Sequence, residues 1–402
     1  MRQLLAMFGD PHEHPRIIHV AGTKGKGSTS ALLASILNAA GIRTGLYTSP
    51  HVVSAFERIA IAGVAPRREA LVRLGNEVKR HIETLPAEGM PGHYAVTTFE
   101  LYTLLAFLYF RDAGCSDAVV EVGIGGRLDA TNVVSPYASV ITPLDLEHTD
   151  ILGDTIEKIA AEKAGIIKPG VPAFIAAQTA GAREVFRQVG RERGSSVSFL
   201  DEEGTLLESR TDRNGTSFSI RLRGESSHDF RLSLLGSFQA ENAALAYLTL
   251  RRMRPEITDE QFRMGFLATT LPGRMEVRGV DPPIIFDGAH TPLAVTRLLS
   301  SFRAIFPGEA VLLFGSVSGK KPREMAAILG PAFSRIVIST PGTFKESNPA
   351  EVAEIFREFS PGVELERDPV RALQRARELS EGRRPILVTG SFYMVSEVRR
   401  LT

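Results

Sequence analysis

The 402-residue chain has one cysteine, Cys115, so no disulfide can form within it, and that usage suits a reducing cytoplasm. It has no strong charge of either sign: 47 Lys and Arg against 46 Asp and Glu leave a net +1. That balance argues against nucleic acid as the main partner, which leaves a marked basic excess. An anionic substrate can still be held by local cations. Long apolar runs are missing too; residues 101–110, the longest, make half a membrane span and read as a buried helix, so no membrane partner is expected. The first residues, Met1-Arg2-Gln3-Leu4, reach Asp10, Pro11 and His12 without the apolar core of a signal peptide. Internal repeats and low-complexity tracts are absent. What remains, 43% hydrophobic and 23% charged, is the composition of a soluble globular protein long enough for two domains.

Short β-rich runs at residues 17–20, 44–48, 118–122 and 139–142 alternate with helical stretches near 28–40, 67–84, 98–113 and 154–165. Alternation of this kind predicts a parallel sheet covered on both faces, with ligands bound beyond the carboxyl ends of its strands. From 195 to 235 the pattern turns to short alternating strands with polar turns such as Asp212-Arg213-Asn214-Gly215, which predicts appended antiparallel hairpins, and 239–253 then reads as a helix. The breakers Leu271-Pro272-Gly273-Arg274 mark a domain junction. Strands recur after it at 284–286, 311–314, 336–339 and 386–389, giving a smaller α/β domain. The expected division is 1–270 and 271–402.

The chain is organised around His19-Val20-Ala21-Gly22-Thr23-Lys24-Gly25-Lys26-Gly27-Ser28-Thr29, which reads as strand, glycine loop and helix. Glycines let backbone N–H groups turn toward a phosphate, the helix N-terminus adds positive potential, and Lys26 reaches the outer phosphates as a point charge. The pattern is a variant of G-x-x-x-x-G-K-[ST]: two residues separate Gly22 from Gly25, and Gly27 stands between Lys26 and Ser28. The plainer alternative is a glycine-rich turn with solvated lysines; the strand–loop–helix context favours phosphate.

Other segments end strands on the same side. Tyr47-Thr48-Ser49-Pro50-His51 offers a hydroxyl, Ser49, for Mg²⁺ beside the phosphate loop, or is merely a turn. Glu121, closing a buried strand ahead of Gly123, Gly125 and Gly126, is costly there unless a cation meets it; Mg²⁺ on ATP phosphates is the natural partner, against a glutamate at a surface end. In Leu146-Glu147-His148-Thr149-Asp150, His148 is a metal ligand or a helix cap. Lys163 closes a helix just before the apolar turn Ile166-Ile167, a setting that suits partial burial.

Together with Leu271-Pro272-Gly273-Arg274-Met275-Glu276, Asp287-Gly288-Ala289-His290 and Val388-Thr389-Gly390-Ser391-Phe392-Tyr393, these segments resemble the folylpolyglutamate synthase/dihydrofolate synthase family of the Mur ligase superfamily, from about Pro11 to the end. The resemblance implies an α/β fold: a P-loop, Mur-ligase-type central domain with a parallel sheet and appended antiparallel hairpins, plus the smaller α/β C-terminal domain. It implies an ATP-dependent ligase that adds L-glutamate to a folate, to dihydropteroate, or to both, through an acyl phosphate. Thr23, Lys24, Gly25 and Lys26 would then hold ATP phosphates, with Asn242, Arg274 and Asp287 completing the ATP site and His290 supporting it. Ser49, Glu121 and His148 would bind Mg²⁺. Thr97, Thr98, Phe99 and Glu100, with Leu128, Asp129 and Ala130, would line the pteridine side. Lys163 would carry the family's carbamate, an anion suited to a second Mg²⁺, and Lys26, Lys163 and His148 would form the catalytic set. Family resemblance also implies a monomer.

The sequence departs from the family pattern at Lys24, where asparagine is usual, at Thr291, where asparagine is usual, and at Gly319-Lys320-Lys321, which replaces an Asp-Lys-Asp element. With so few residues before Pro11, the leading helix and the loop that helps hold dihydropteroate in bifunctional members are not expected. Two other readings compete: another Mur-type amino-acid ligase, disfavoured by the Thr-Phe-Glu and Leu-Asp-Ala segments, and a nucleotide-dependent switch or motor, which would need neither Arg274 nor Asp287.

Overall fold

Strand order and burial follow from the apolar runs. The computed structural model describes residues 1–83 and 96–402, grouped in two compact units: Met1–Ser209 with Ser217–Ser233 and Phe238–Thr270, and Leu271–Thr402 with Arg210–Thr216 and Leu234–Ser237.

Among the described residues the first unit carries a seven-stranded sheet of β1 (Arg16–Ala21), β2 (Thr44–Tyr47), β3 (Ile59–Ile61), β4 (Asp117–Glu121), β5 (Ala138–Ile141), β6 (Ala173–Ile175) and β7 (Val197–Phe199). They lie in the order β3-β2-β4-β1-β5-β6-β7, parallel except where β3 runs against β2. β1 is central, and Ile17, Ile18 and Val20 are buried, as a strand covered on both faces requires. Val20 stands opposite Glu121 of β4 and Val140 of β5, so these three strands release their loops at one level. The helices around them are α1 (Arg2–Ala6), α2 (Lys26–Ala39), α3 (Arg68–Glu83), α4 (Thr98–Asp112), α5 (Thr149–Leu152) and α6 (Ile156–Ala164). Leu104, Phe107 and Phe110 of α4 pack with Leu4, Leu5 and Val120 in one apolar cluster; Ala160 and Ala164 of α6 pack with Val122, Ile141 and Phe186 in another.

Three sequence expectations change here. Val197–Phe199 is the last strand of the parallel sheet, paired with Ala173–Ile175, so the antiparallel sheet starts later, with β8 (Gly204–Asp212), β9 (Gly215–Leu222) and β10 (Ser227–Leu232) in the order β10-β9-β8. Strands β3 and β6 were not expected from the sequence. A short helix does precede Pro11: α1 forms because Leu4 and Leu5 are both fully buried.

The second unit has β11 (Glu276–Arg278), β12 (Ile284–Phe286), β13 (Val311–Phe314), β14 (Arg335–Ile338), β15 (Val363–Leu365) and β16 (Ile386–Thr389) in the order β11-β12-β16-β13-β14-β15. Only β11 is antiparallel to its neighbour. Helices Pro292–Ile305, Pro322–Leu329, Pro349–Arg357 and Pro369–Ser380 each begin with proline, whose missing N–H costs nothing in the first turn. Thr291 caps the first of them by accepting from Ala294 N, which gives the unusual threonine a local role. Phe302, Phe306, Phe314, Phe333 and Phe356 fill the core.

Candidate active site

The loop between β1 and α2 needs two of its glycines. Gly22 has φ 143° and any Cβ there would collide with Thr142 Oγ1; Gly25 has φ 85° and a Cβ would strike Asn242 Oδ1. The N–H groups of Thr23 and Lys24 both donate to Pro143 O at 3.1 Å, Thr23 Oγ1 donates to Asp145 O at 3.3 Å, and Lys24 Nζ pairs with Glu147 at 3.1 Å. Thr23 and Lys24 thus anchor the loop to residues 143–147, with their backbone donors already engaged. The next turn differs. α2 starts at Lys26, and its N-cap, left-handed Gly25, brings no side-chain cap. The N–H groups of Lys26, Gly27 and Ser28 therefore lack intrahelical partners and sit at the positive end of the helix dipole.

Glu121 is 2% exposed. Ser49 N donates to its Oε2 at 3.0 Å, and a Cβ on Gly27 would lie 3.6 Å from that same oxygen. The buried carboxylate therefore faces the first turn of α2, with Ser49 alongside. His148 is exposed, takes the N-cap position of α5 at φ 54°, and makes no side-chain cap. Among the described residues no three His, Cys, Asp or Glu side chains gather as a metal site. The expected set contains a hydroxyl, so it would not reach that count. A carboxylate with an adjoining hydroxyl is the hard-oxygen chemistry that Mg²⁺ takes, and Glu121 with Ser49 fits it.

Lys163, in the last turn of α6, is 4% exposed and donates from Nζ to Gly22 O at 2.7 Å. Burial, reinforced by the charge of Lys26, lowers its pKa to about 7, against the opposing pull of Glu147 and Asp129. A substantial share of such an amine is unprotonated near neutrality, the form that can add to carbon dioxide. The 123–127 loop is pressed onto α6: a Cβ on Gly126 would lie 2.7 Å from Glu162 O and 3.0 Å from Lys163 Cα, and Arg127 N donates to Glu162 O at 2.8 Å.

On the other side of this loop, Thr97 caps α4 in a reciprocal box. Glu100 N donates to Thr97 Oγ1, while Thr97 N and Oγ1 donate to Glu100 Oε2 at 3.0 and 2.9 Å. Glu100 is buried; its Oε2 closes that helix end and its Oε1 lies 3.4 Å from the Met1 amino group. Thr97 and Thr98 are exposed. Phe99 lies 6.0 Å from the Tyr47 ring and occupies the space a side chain on Gly123 would take. Leu128 is 80% exposed and Ala130 half-buried. Asp129 turns inward: Oδ2 accepts from Ile124 N at 3.0 Å and Oδ1 from Thr131 N at 2.9 Å, while burial raises its pKa against these bonds.

Asn242 is buried beside Gly25 and donates to Gln239 Oε1 at 3.0 Å. Gln239 was missed from the sequence; it is fully buried and its Nε2 finds no partner among the described residues. A pair of polar amides three residues apart on an otherwise apolar helix was the available signal. In the second unit, Asp287 accepts from Met275 N at 3.0 Å and Ala289 N at 2.9 Å. Burial raises its pKa, with Arg274 opposing. Arg274 is exposed, its guanidinium 4.6 Å from the Phe392 ring centre. His290 Nδ1 lies 2.8 Å from Gly288 O.

The chain resembles known proteins over nearly its whole length. Residues 20–250 match the Mur ligase middle domain, and 273–392 the Mur ligase, glutamate ligase domain. The chain is 33% identical over 407 residues to the dihydrofolate synthase/folylpolyglutamate synthase of Bacillus subtilis, covering 100% of this chain and 93% of that protein. The crystal structure of Thermotoga maritima folylpolyglutamate synthase superposes with a TM-score of 0.91 at 30% identity, covering 100% of this chain and 91% of the other. The Mycobacterium tuberculosis folylpolyglutamate synthase complexed with ADP gives 0.90 at 31% identity, covering 99% and 92%. No helix among the described residues is long and apolar enough to cross a membrane.

Proposed function

The chain belongs to the folylpolyglutamate synthase/dihydrofolate synthase family of Mur-type ATP-dependent ligases, and on that premise we propose that it joins L-glutamate to a folate through an acyl phosphate. The observation that carries this reading is the uncapped start of α2 beside buried Glu121, a place built for a polyphosphate and its cation. A related enzyme has been crystallised with ADP.

In this reading the N–H groups of Lys26, Gly27 and Ser28 hold ATP phosphates, Lys26 adds a positive charge, and Asn242 stands beside Gly25 at the same loop. Arg274 and Asp287 are assigned to the nucleotide, and Thr97, Thr98, Phe99 and Glu100, with Leu128, Asp129 and Ala130, to the folate side. Ser49 and Glu121, with His148, would hold Mg²⁺, which when bound would neutralise charge on the transferring phosphoryl group. The folate carboxylate attacks the γ-phosphorus and ADP leaves. The glutamate amine then attacks the acyl carbon, losing its proton, and phosphate leaves. Lys26 stabilises the charge that gathers in the first step. Lys163, buried and near neutrality in pKa, would be carbamylated in this reading, which would replace an amine beside the phosphate loop with an anion.

Phosphate release measured with ATP, L-glutamate and either tetrahydrofolate or dihydropteroate tests this reading. Release that requires both glutamate and one of these acids supports it, and the preferred acid decides which of the two activities is present. Hydrolysis of ATP indifferent to both would refute it.

A further inference from the structure

We propose that His19 and Thr131 form a buried hydrogen-bond relay that positions Asp129 for the folate-type substrate. His19 opens the segment around which the chain is organised, yet the phosphate reading gives it no task. It lies in β1, fully buried, with Nε2 2.9 Å from Thr131 Oγ1. Thr131 Oγ1 in turn donates to Asp129 Oδ1 at 2.5 Å. A hydroxyl has one proton to give. With that proton on the carboxylate, Thr131 must accept from His19, so the ring proton sits on Nε2 and Nδ1 is bare. His19 Nδ1 is indeed buried without a hydrogen-bond partner among the described residues. Burial, helped by the charge of Lys168, pushes the ring's pKa down to about 3, so the imidazole stays neutral and the direction of the relay does not reverse near neutral pH.

The far end of the relay is a loop. Asp129 Oδ2 holds Ile124 N at 3.0 Å, so one carboxylate fixes both the 3₁₀ turn that starts at Ala130 and the tip of the glycine loop after β4. The charged and titratable groups coupled to it are Lys163 and Tyr47, besides the neutral ring of His19 behind Thr131. The donors from Thr131 favour the ionised carboxylate, while burial opposes it. His19 and Thr131 act through Asp129 and are positioning residues. The relay thus rests on the assignment of Asp129 to the folate side.

Steady-state kinetics across pH on Thr131→Val, Thr131→Ser, His19→Leu and Asp129→Asn tests it. Thr131→Val removes a bond that favours the carboxylate. The KM for the folate should rise about three- to tenfold while the KM for ATP stays put, and the acid limb of kcat/KM should move to higher pH. Thr131→Ser keeps the hydroxyl and should restore both. His19→Leu should move the same two quantities in the same direction by a smaller factor. If Asp129→Asn weakens the folate while Thr131→Val keeps the wild-type KM and acid limb, the relay is wrong and the folate-side reading stands. If Asp129→Asn leaves the folate KM unchanged, the folate-side assignment of Asp129 falls and the relay with it. A His19→Leu protein that loses only thermal stability overturns the relay in the form stated.

Discussion

Two glycine-rich loops leave the neighbouring strands β1 and β4 at one level, and they are held in opposite ways. The loop after β1 is tied from outside: Pro143 O takes two of its N–H groups, Glu147 takes Lys24, and Thr142 and Asn242 close on its glycines. The loop after β4 is tied from within, by the carboxylate of its own Asp129, and pressed onto α6 at Gly126. The difference follows from what each loop presents. One that offers backbone donors to an anion cannot use those donors to hold itself together. One that offers side chains can be fixed by one of them. Lys163 touches both, donating to Gly22 O while its own backbone bears on Gly126.

Breaking the first loop's chemistry should have the largest effect. Lys26→Ala should lower kcat by about 10²–10³-fold or more with an unchanged melting temperature, because in the proposed mechanism it removes the charge that stabilises the transferring phosphoryl group. Activity near wild type would take Lys26 out of the mechanism. Lys163→Ala should come next, with a severe loss partly restored by added small carboxylates; full activity without them would end the carbamate reading.

The same lysine gives a stability test. Its folded pKa, about 7, lies below the unfolded value of roughly 10.4. Between those values the unfolded chain binds the extra proton, so the wild type gains stability as pH rises through that window. A Lys163→Met protein should therefore lose ground to wild type in denaturant melts from neutral to alkaline pH; a constant difference would show that the amine is not desolvated.

Gly126→Ala should destabilise by about 1–3 kcal/mol, since the new methyl meets backbone atoms of α6 that cannot swing aside. Urea melts will show whether the second loop depends on that contact. The smallest effect belongs to Glu147→Gln, which removes the partner of Lys24 from a pair with both side chains about a third exposed. A stability change below about 1 kcal/mol is expected. A much larger one would make that pair the main tie of the first loop.

The parallel sheet and its loops were legible because short β-rich runs alternating with helical stretches, and glycines between them, carry strong local signals. The glycine loop, Glu121 and Lys163 stand at strand or helix ends that the pattern marks. What was not legible depended on distance along the chain. Ala173–Ile175 went unread, and Val197–Phe199 looked like a hairpin strand until its parallel partner was known. The capping box of Glu100 was written locally as Thr97-x-x-Glu100. The partners of His19, more than a hundred residues away, and the role of Pro143 as the anchor of the first loop could come only from the fold.

The most direct test of the central claim is a crystal structure with a non-hydrolysable ATP analogue and Mg²⁺. The phosphates should lie on the N–H groups of Lys26, Gly27 and Ser28, with the metal against Ser49 and Glu121. Phosphates bound elsewhere, with the start of α2 empty, would contradict it.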